Sequence, residues 1–131
     1  MRINLLTSIR TNNFNDEQMM EKIQNMWKEA YRSLEGKNDT VYGIYYDYES
    51  DFKGDYSIGV GIENVDKGSM MISDQANYNI FKVTSSDEEG ILKTWQKIWG
   101  LEESGELERA YTVDFEKYLP SGEIEIHIAI V

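Results

Sequence analysis

The stretch Ala110-Tyr111-Thr112-Val113-Asp114-Phe115-Glu116-Lys117-Tyr118-Leu119-Pro120-Ser121-Gly122-Glu123-Ile124-Glu125-Ile126-His127-Ile128-Ala129-Ile130 decides the fold. Its second part alternates strictly, with Ile124, Ile126, Ile128 and Ile130 on one face and Glu125, His127 and Ala129 on the other. A period of two marks a half-buried strand. Pro120-Ser121-Gly122 is a turn, because proline removes a ladder donor and glycine accepts positive φ. Ala110 to Tyr118 also alternates and reads as the partner strand. On that reading Tyr111, Val113 and Phe115 share the face that should meet the helices, and Thr112, Asp114, Glu116 and Tyr118 share the other.

Upstream of this hairpin, Ser86-Asp87-Glu88-Glu89 has the capping-box pattern of a helix start. Ile91, Leu92, Trp95, Ile98 and Trp99 then form an apolar helical stripe, and a loop follows over 100–107. Asn77 to Thr84 reads as a strand, and Asn64 to Asp74 as a loop or irregular edge in which Met70-Met71 suits a flexible lid. Tyr56, Ile58, Val60 and Ile62 alternate with Ser57, Gly59 and Gly61, another strand. Gly59-Val60-Gly61 lacks the third glycine and following helix of a nucleotide fingerprint. Val41 to Tyr48 is dense in aromatic and β-branched residues and is also a strand, with a turn over 49–55. Alternation puts Tyr42, Tyr46 and Tyr48 on one face of it and Tyr45 on the other.

A first helix is expected from Asn15, which can cap with Gln18 three residues on. Met19, Ile23, Met26, Ala30 and Leu34 recur at helical spacing, Trp27 and Tyr31 widen the stripe, and Gly36 is a natural stop. Ile3, Leu5, Leu6 and Ile9 make a first strand within residues 1–14. The order is β-α-β-β twice, with the second half beginning about 70 residues after the first, a weak internal repeat.

The chain has 131 residues, 40% of them apolar, with three Trp, nine Tyr and four Phe. That is material for one α+β domain spanning 1–131. Cysteine is absent, which removes disulfides, thiolate nucleophiles and Cys-ligated metal. His127 is the sole histidine, so no ordinary zinc set exists, and neither metal nor cofactor is expected. It falls on the polar face of the last strand, near Glu125 and within possible reach of Glu116. The first residues lack a signal-peptide core and no apolar run spans a bilayer, so a cytoplasmic protein without membrane contact is expected. The net charge of −11 argues against direct nucleic-acid binding, which needs a basic stripe, and favours cationic over anionic ligands.

Two segments carry a family likeness: Tyr42-Gly43-Ile44-Tyr45-Tyr46-Asp47-Tyr48-Glu49-Ser50-Asp51 with Gly54-Asp55-Tyr56, and Trp95-Gln96-Lys97-Ile98-Trp99 followed by Arg109 to Ile130. Together they resemble the GyrI-like, AraC-type effector-binding domains, found in drug-responsive transcription regulators and as free single-domain proteins. The resemblance covers nearly the whole chain. It implies two β-α-β-β halves related by a pseudo-two-fold axis, one curved antiparallel sheet with two main helices, and a ligand groove between the halves. It also implies a small-molecule ligand, cationic or amphipathic, held among aromatic rings by a buried glutamate, as in multidrug binding. Glu116 matches that glutamate best, within Asp114-Phe115-Glu116-Lys117-Tyr118, and Asp114 comes second. The plain alternative is a solvated sheet face. Trp95 and Trp99, one turn apart, suit a pocket wall or ordinary core packing. Tyr45, Tyr46, Tyr48 and Tyr111 complete the candidate ligand-binding set. Binding is therefore the first expectation. The second is a small hydrolase in which Glu116 works with Tyr46 or Tyr111. The third is an acidic inhibitor of a protein partner.

Overall fold

The computed structural model describes residues 1–34, 39–51, 53–64, 66, 68–73, 76–84, 87 and 89–131. The elements run β1 (Arg2–Thr11), α1 (Met19–Leu34), β2 (Val41–Tyr46), β3 (Tyr56–Glu63), β4 (Met70–Met71), β5 (Tyr78–Val83), α2 (Gly90–Glu103), β6 (Asp114–Tyr118) and β7 (Ile124–Ala129). The strands form one antiparallel sheet in the order β4-β1-β3-β2-β6-β7-β5. Setting β4 aside, the order reads β1-β3-β2 and then its mirror, β6-β7-β5, so the expected repeat of strand-helix-hairpin units is present. The halves join where β2 lies antiparallel to β6, with Gly43 opposite Glu116 and Tyr45 opposite Asp114.

Each helix covers its own half. Met26 and Ala30 of α1 pack on Tyr56, Ile58 and Val60 of β3. Trp95 and Ile98 of α2 pack on Val83 of β5 and on Ile126 and Ile128 of β7. The other face of the sheet is apolar too. Ile3, Tyr42, Ile44, Ile72 and Phe115 cluster there, with Val113, Tyr46 and Tyr78 against them. Residues near both sheet edges meet in that cluster, so the sheet curls into a half-barrel around it.

This corrects the expected facing of Val113 and Phe115, which sit inside the curl and not under the helices. Alternation identifies two faces but cannot say which one a helix covers when both bury apolar groups. His127 goes with them, stacking on Phe115 with centroids 4.5 Å apart and bonding Glu125 at 3.1 Å. It is therefore on the opposite face from Glu116, whose neighbour across the ladder is Ile126.

The strand expected over 110–118 begins only at Asp114. Tyr111 has φ +55°, which ends regular pairing before it. Asp47, at φ +50°, likewise closes β2 after Tyr46. The helix starts shift as well. Asp16, not Asn15, organises the first: its carboxylate accepts the Gln18 N–H at 2.9 Å and its carbonyl the Met19 N–H at 3.2 Å. The second starts at Gly90, after Asp87 accepts the Glu89 N–H at 2.9 Å, and no side chain bonds at its N-cap. Ser86, Glu88 and Gly36 lie outside the described residues. Met70 and Met71 pair with Ile3 and Arg2 at the sheet edge, which makes them a strand and not a lid.

β1 and β3 approach closely beside an irregularity between Leu5 and Thr7. A Cβ on Gly61 would stand 2.7 Å from the Asn4 carbonyl oxygen, closer than packing allows. Gly61→Ala is expected to lower stability by about 1–3 kcal/mol through this overpacking. Urea denaturation measures it, and an unchanged midpoint would contradict the close approach.

Candidate functional site

Because α1 and α2 each cover one half, the helix-facing side of the β2–β6 seam lies between them. A cleft of about 440 Å³ opens there. Gly43 contributes no side chain to its floor; a Cβ at that position would come within 3.1 Å of Trp27 and 3.3 Å of Glu116 Oε1. The residues around it are Glu116, Tyr45 and Tyr118 from the seam, Trp27 from α1 and Trp95 from α2. Trp95 packs edge-on to Tyr45 at 5.2 Å, and Trp27 edge-on to Tyr118 at 5.2 Å. Each helix thus supplies one indole to one tyrosine of the seam.

Glu116 is 4% exposed. Its Oε2 accepts hydrogen bonds from the Trp95 indole N–H at 2.7 Å and the Tyr45 hydroxyl at 3.0 Å. Its Oε1 accepts one from the Tyr118 hydroxyl at 2.7 Å. Indole N–H only donates, so Oε2 is an acceptor in this arrangement. Among the described residues no lysine, arginine or histidine forms an ion pair with Glu116. The carboxylate is held by neutral donors alone.

Asp114, two residues earlier on the same face, has a different role. It is fully buried and takes the Arg109 guanidinium at 2.8 Å, the Tyr48 hydroxyl at 2.5 Å and the Ala129 N–H at 2.7 Å. Arg109 also approaches Glu102 at 3.6 Å and lies 4.4 Å from the centre of the Tyr111 ring. Asp114 therefore neutralises Arg109 and fastens the 109–113 segment to β7. Arg109 borders the cleft, but its charge is already matched.

The expected site residues divide accordingly. Glu116, Trp95, Trp99, Tyr45 and Tyr48 come together at the cleft. Tyr48 reaches it because Asp47's positive φ breaks the alternation that would have turned it away. Tyr46 packs on the opposite face among the residues inside the curl, away from Glu116. Tyr111 donates to Glu102 and packs edge-on to Tyr48 at 5.4 Å. Neither Tyr46 nor Tyr111 is hydrogen-bonded to Glu116; the tyrosines that are, Tyr45 and Tyr118, were not the expected pair. Trp27, Tyr56, Tyr118 and Arg109 also line the cleft and were missed as site residues. Tyr118 was recoverable, since it alternates with Glu116 on one strand. Among the described residues no three of His, Asp and Glu are grouped to hold a metal ion.

The phenols are perturbed in one direction. Burial, then the charge of Glu116 beside it, pushes Tyr45 well above the ordinary tyrosine range, and the same two causes raise Tyr118. Burial and then Asp114 raise Tyr48. Burial, followed by Glu116, lifts Tyr56 to about 12. At neutral pH these hydroxyls are protonated and act as donors.

The family described as integron-associated effector binding protein, Cass2, matches residues 6–130. The fold is similar to that of a solved integron cassette protein from the mobile metagenome of Vibrio cholerae, with a TM-score of 0.73 and 25% identity over 100% of this chain and 92% of that one. Comparison with the curated proteins finds no match. No described helix is long and apolar enough to cross a membrane.

Two outcomes follow from this geometry. Asp114→Asn leaves a buried guanidinium without its main counter-charge and should cost about 3–5 kcal/mol in urea unfolding; a loss under about 1 kcal/mol would show that Arg109 is stabilised otherwise. The raised phenols bind protons more tightly folded than unfolded. Their stabilisation is whole below a pH of about 10 and is lost as pH rises through the folded values. Stability should therefore decline above pH of about 10, by about 1.4 kcal/mol per pH unit for each such phenol. A urea midpoint that stays level across that range would contradict it.

Proposed function

The chain belongs to the Cass2 family of integron-associated effector-binding proteins, and from that premise we propose that the seam cleft receives a lipophilic small molecule bearing a positive charge. The observation that supports this is Glu116: a carboxylate 4% exposed, bonded only to neutral donors, in a cleft walled by Trp27, Trp95 and Tyr45. A cation entering the cleft supplies the charge that the protein withholds. Its apolar body gains from leaving water, and each ring facing it adds about 0.5–2 kcal/mol. A neutral molecule of the same shape leaves the carboxylate without a counter-charge, and an anion is repelled, so one residue sets the charge preference.

In this reading the whole chain serves as one receptor domain of the GyrI-like kind, sensing or sequestering its ligand, with any link to transcription passing through a partner protein. Hydrolysis ranks second. Tyr45 and Tyr118 do contact Glu116, but three hydrogen bonds already occupy the carboxylate, and activating a water would require at least one of them to break.

Tryptophan fluorescence tests the proposal, since Trp27, Trp95 and Trp99 all border the cleft. Lipophilic cationic dyes should quench it saturably, and neutral dyes of similar shape should bind far more weakly. Glu116→Gln keeps the size of the side chain and removes its charge. It should weaken cation binding by about thirtyfold or more, as expected when one partner of a desolvated charge contact is removed. Equal affinities for cation and neutral analogue, or wild-type affinity in Glu116→Gln, would sink the reading.

A further inference from the structure

The cleft does not end at α2. A second chamber of about 700 Å³ shares Asn13, Met19 and Trp99 with it, so the two adjoin along those side chains. Trp99 forms the junction. Its ring lies 6.2 Å from that of Trp95, and Trp95 bonds Glu116, so an aromatic strip runs outward from the buried carboxylate. Phe14 flanks the outer chamber and is 66% exposed, and Trp99 is 40% exposed, so large apolar side chains remain in water there. Each space alone suits a drug-sized molecule. Side by side they make a channel-like apolar surface that extends past Trp99, with Glu116 in the inner chamber.

The outer chamber also carries charge of one sign. Asp51, Glu102 and Glu103 line it, and among the described residues no lysine or arginine does. Glu102 is occupied by Tyr111 and Arg109. Asp51 accepts the Lys53 N–H at 2.9 Å through one oxygen, and no described cation forms an ion pair with Asp51 or Glu103. Each chamber thus carries an anionic group, and Trp99 stands in the lining of both.

We infer that this channel selects elongated dications, with one cationic head against Glu116, an apolar spacer along Trp95, Trp99 and Met19, and a second cationic head beside Asp51 and Glu103. The inference rests on the cation-receptor reading of the cleft and names the ligand class within it. Once the inner head is bound, the outer contact is intramolecular, so even a weak, half-solvated attraction adds affinity without a second association cost. The outer contribution is also the one that salt weakens, because that end is exposed.

The test compares three probes on the full chain by tryptophan quenching: decyl-quinolinium, a bis-quinolinium with a decamethylene spacer, and a bis-quinolinium with an ethylene spacer. The long dication should bind about tenfold more tightly than the monocation, the sum of one exposed ion contact and one ring contact. The short dication, its two heads joined by only two carbons, should gain nothing from the outer acids and bind like the monocation. Asp51→Asn with Glu103→Gln should abolish the long dication's advantage and leave the monocation unchanged; both residues are exposed, and circular dichroism confirms the fold. Equal binding of long dication and monocation to the wild type overturns the inference while the cleft reading stands. So does a double variant that weakens all three probes alike or leaves the dication's advantage intact. Failure of every probe to bind overturns both readings together.

Discussion

A carboxylate buried among apolar groups has to be met by hydrogen-bond donors or by a positive charge, and at Glu116 the protein supplies only donors. Much of the site's arrangement follows from that choice. The Trp95 indole must lie on α2 with its N–H toward the seam, and the Tyr45 and Tyr118 hydroxyls must point inward from β2 and β6. Gly43, opposite Glu116 in the ladder, leaves room for both, because a Cβ there would stand 3.1 Å from Trp27 and 3.3 Å from Glu116. The three donors stabilise the carboxylate without cancelling its charge. In the proposed function, that residual charge is what makes the cleft selective.

Two acids of one strand face thereby acquire opposite functions. Asp114 and Glu116 are two residues apart and both buried, yet Asp114 meets Arg109 and Glu116 meets no cation among the described residues. The first closes an internal ion pair that holds the 109–113 segment against β7. The second is the one that the proposed function leaves to a ligand. The difference comes from Arg109, which the chain delivers to Asp114 because Tyr111 turns at positive φ between them. A buried ion pair contributes less to stability than its geometry suggests, since desolvation offsets the attraction. Here it holds Arg109, the one cation bordering the cleft among the described residues, away from Glu116.

The repeat explains why the cleft exists. Two strand-helix-hairpin units joined through β2 and β6 place each helix over its own strands, and the seam between them is left for aromatic side chains and Glu116. On the other face the sheet curls around Phe115, Ile44 and Tyr42, which supplies a core independent of the cleft. The core is therefore spread over both sides of the sheet, under each helix and inside the curl, and an open cleft at the seam does not cost the fold its interior.

The α+β class, the two helices and the order of the main elements along the chain were legible in the sequence, because periods of 3.6 and 2 are local properties of the chain. The strict alternation of Ile124 to Ile130 alone specified one strand face, and the likeness of Asp114 to Tyr118 to a known stretch singled out Glu116. What alternation could not supply was direction. It put Val113 and Phe115 under the helices and Tyr48 beside Tyr46, and both placements failed. A two-residue period says which side chains share a face but not which face the helices cover, and one positive φ at Asp47 resets the pattern. The division of labour between Asp114 and Glu116, the recruitment of Trp27, and the choice of Tyr45 and Tyr118 over Tyr46 and Tyr111 were decided only when the halves packed. These depend on contacts between residues up to 71 positions apart, such as Tyr45 with Glu116, and no local pattern encodes them.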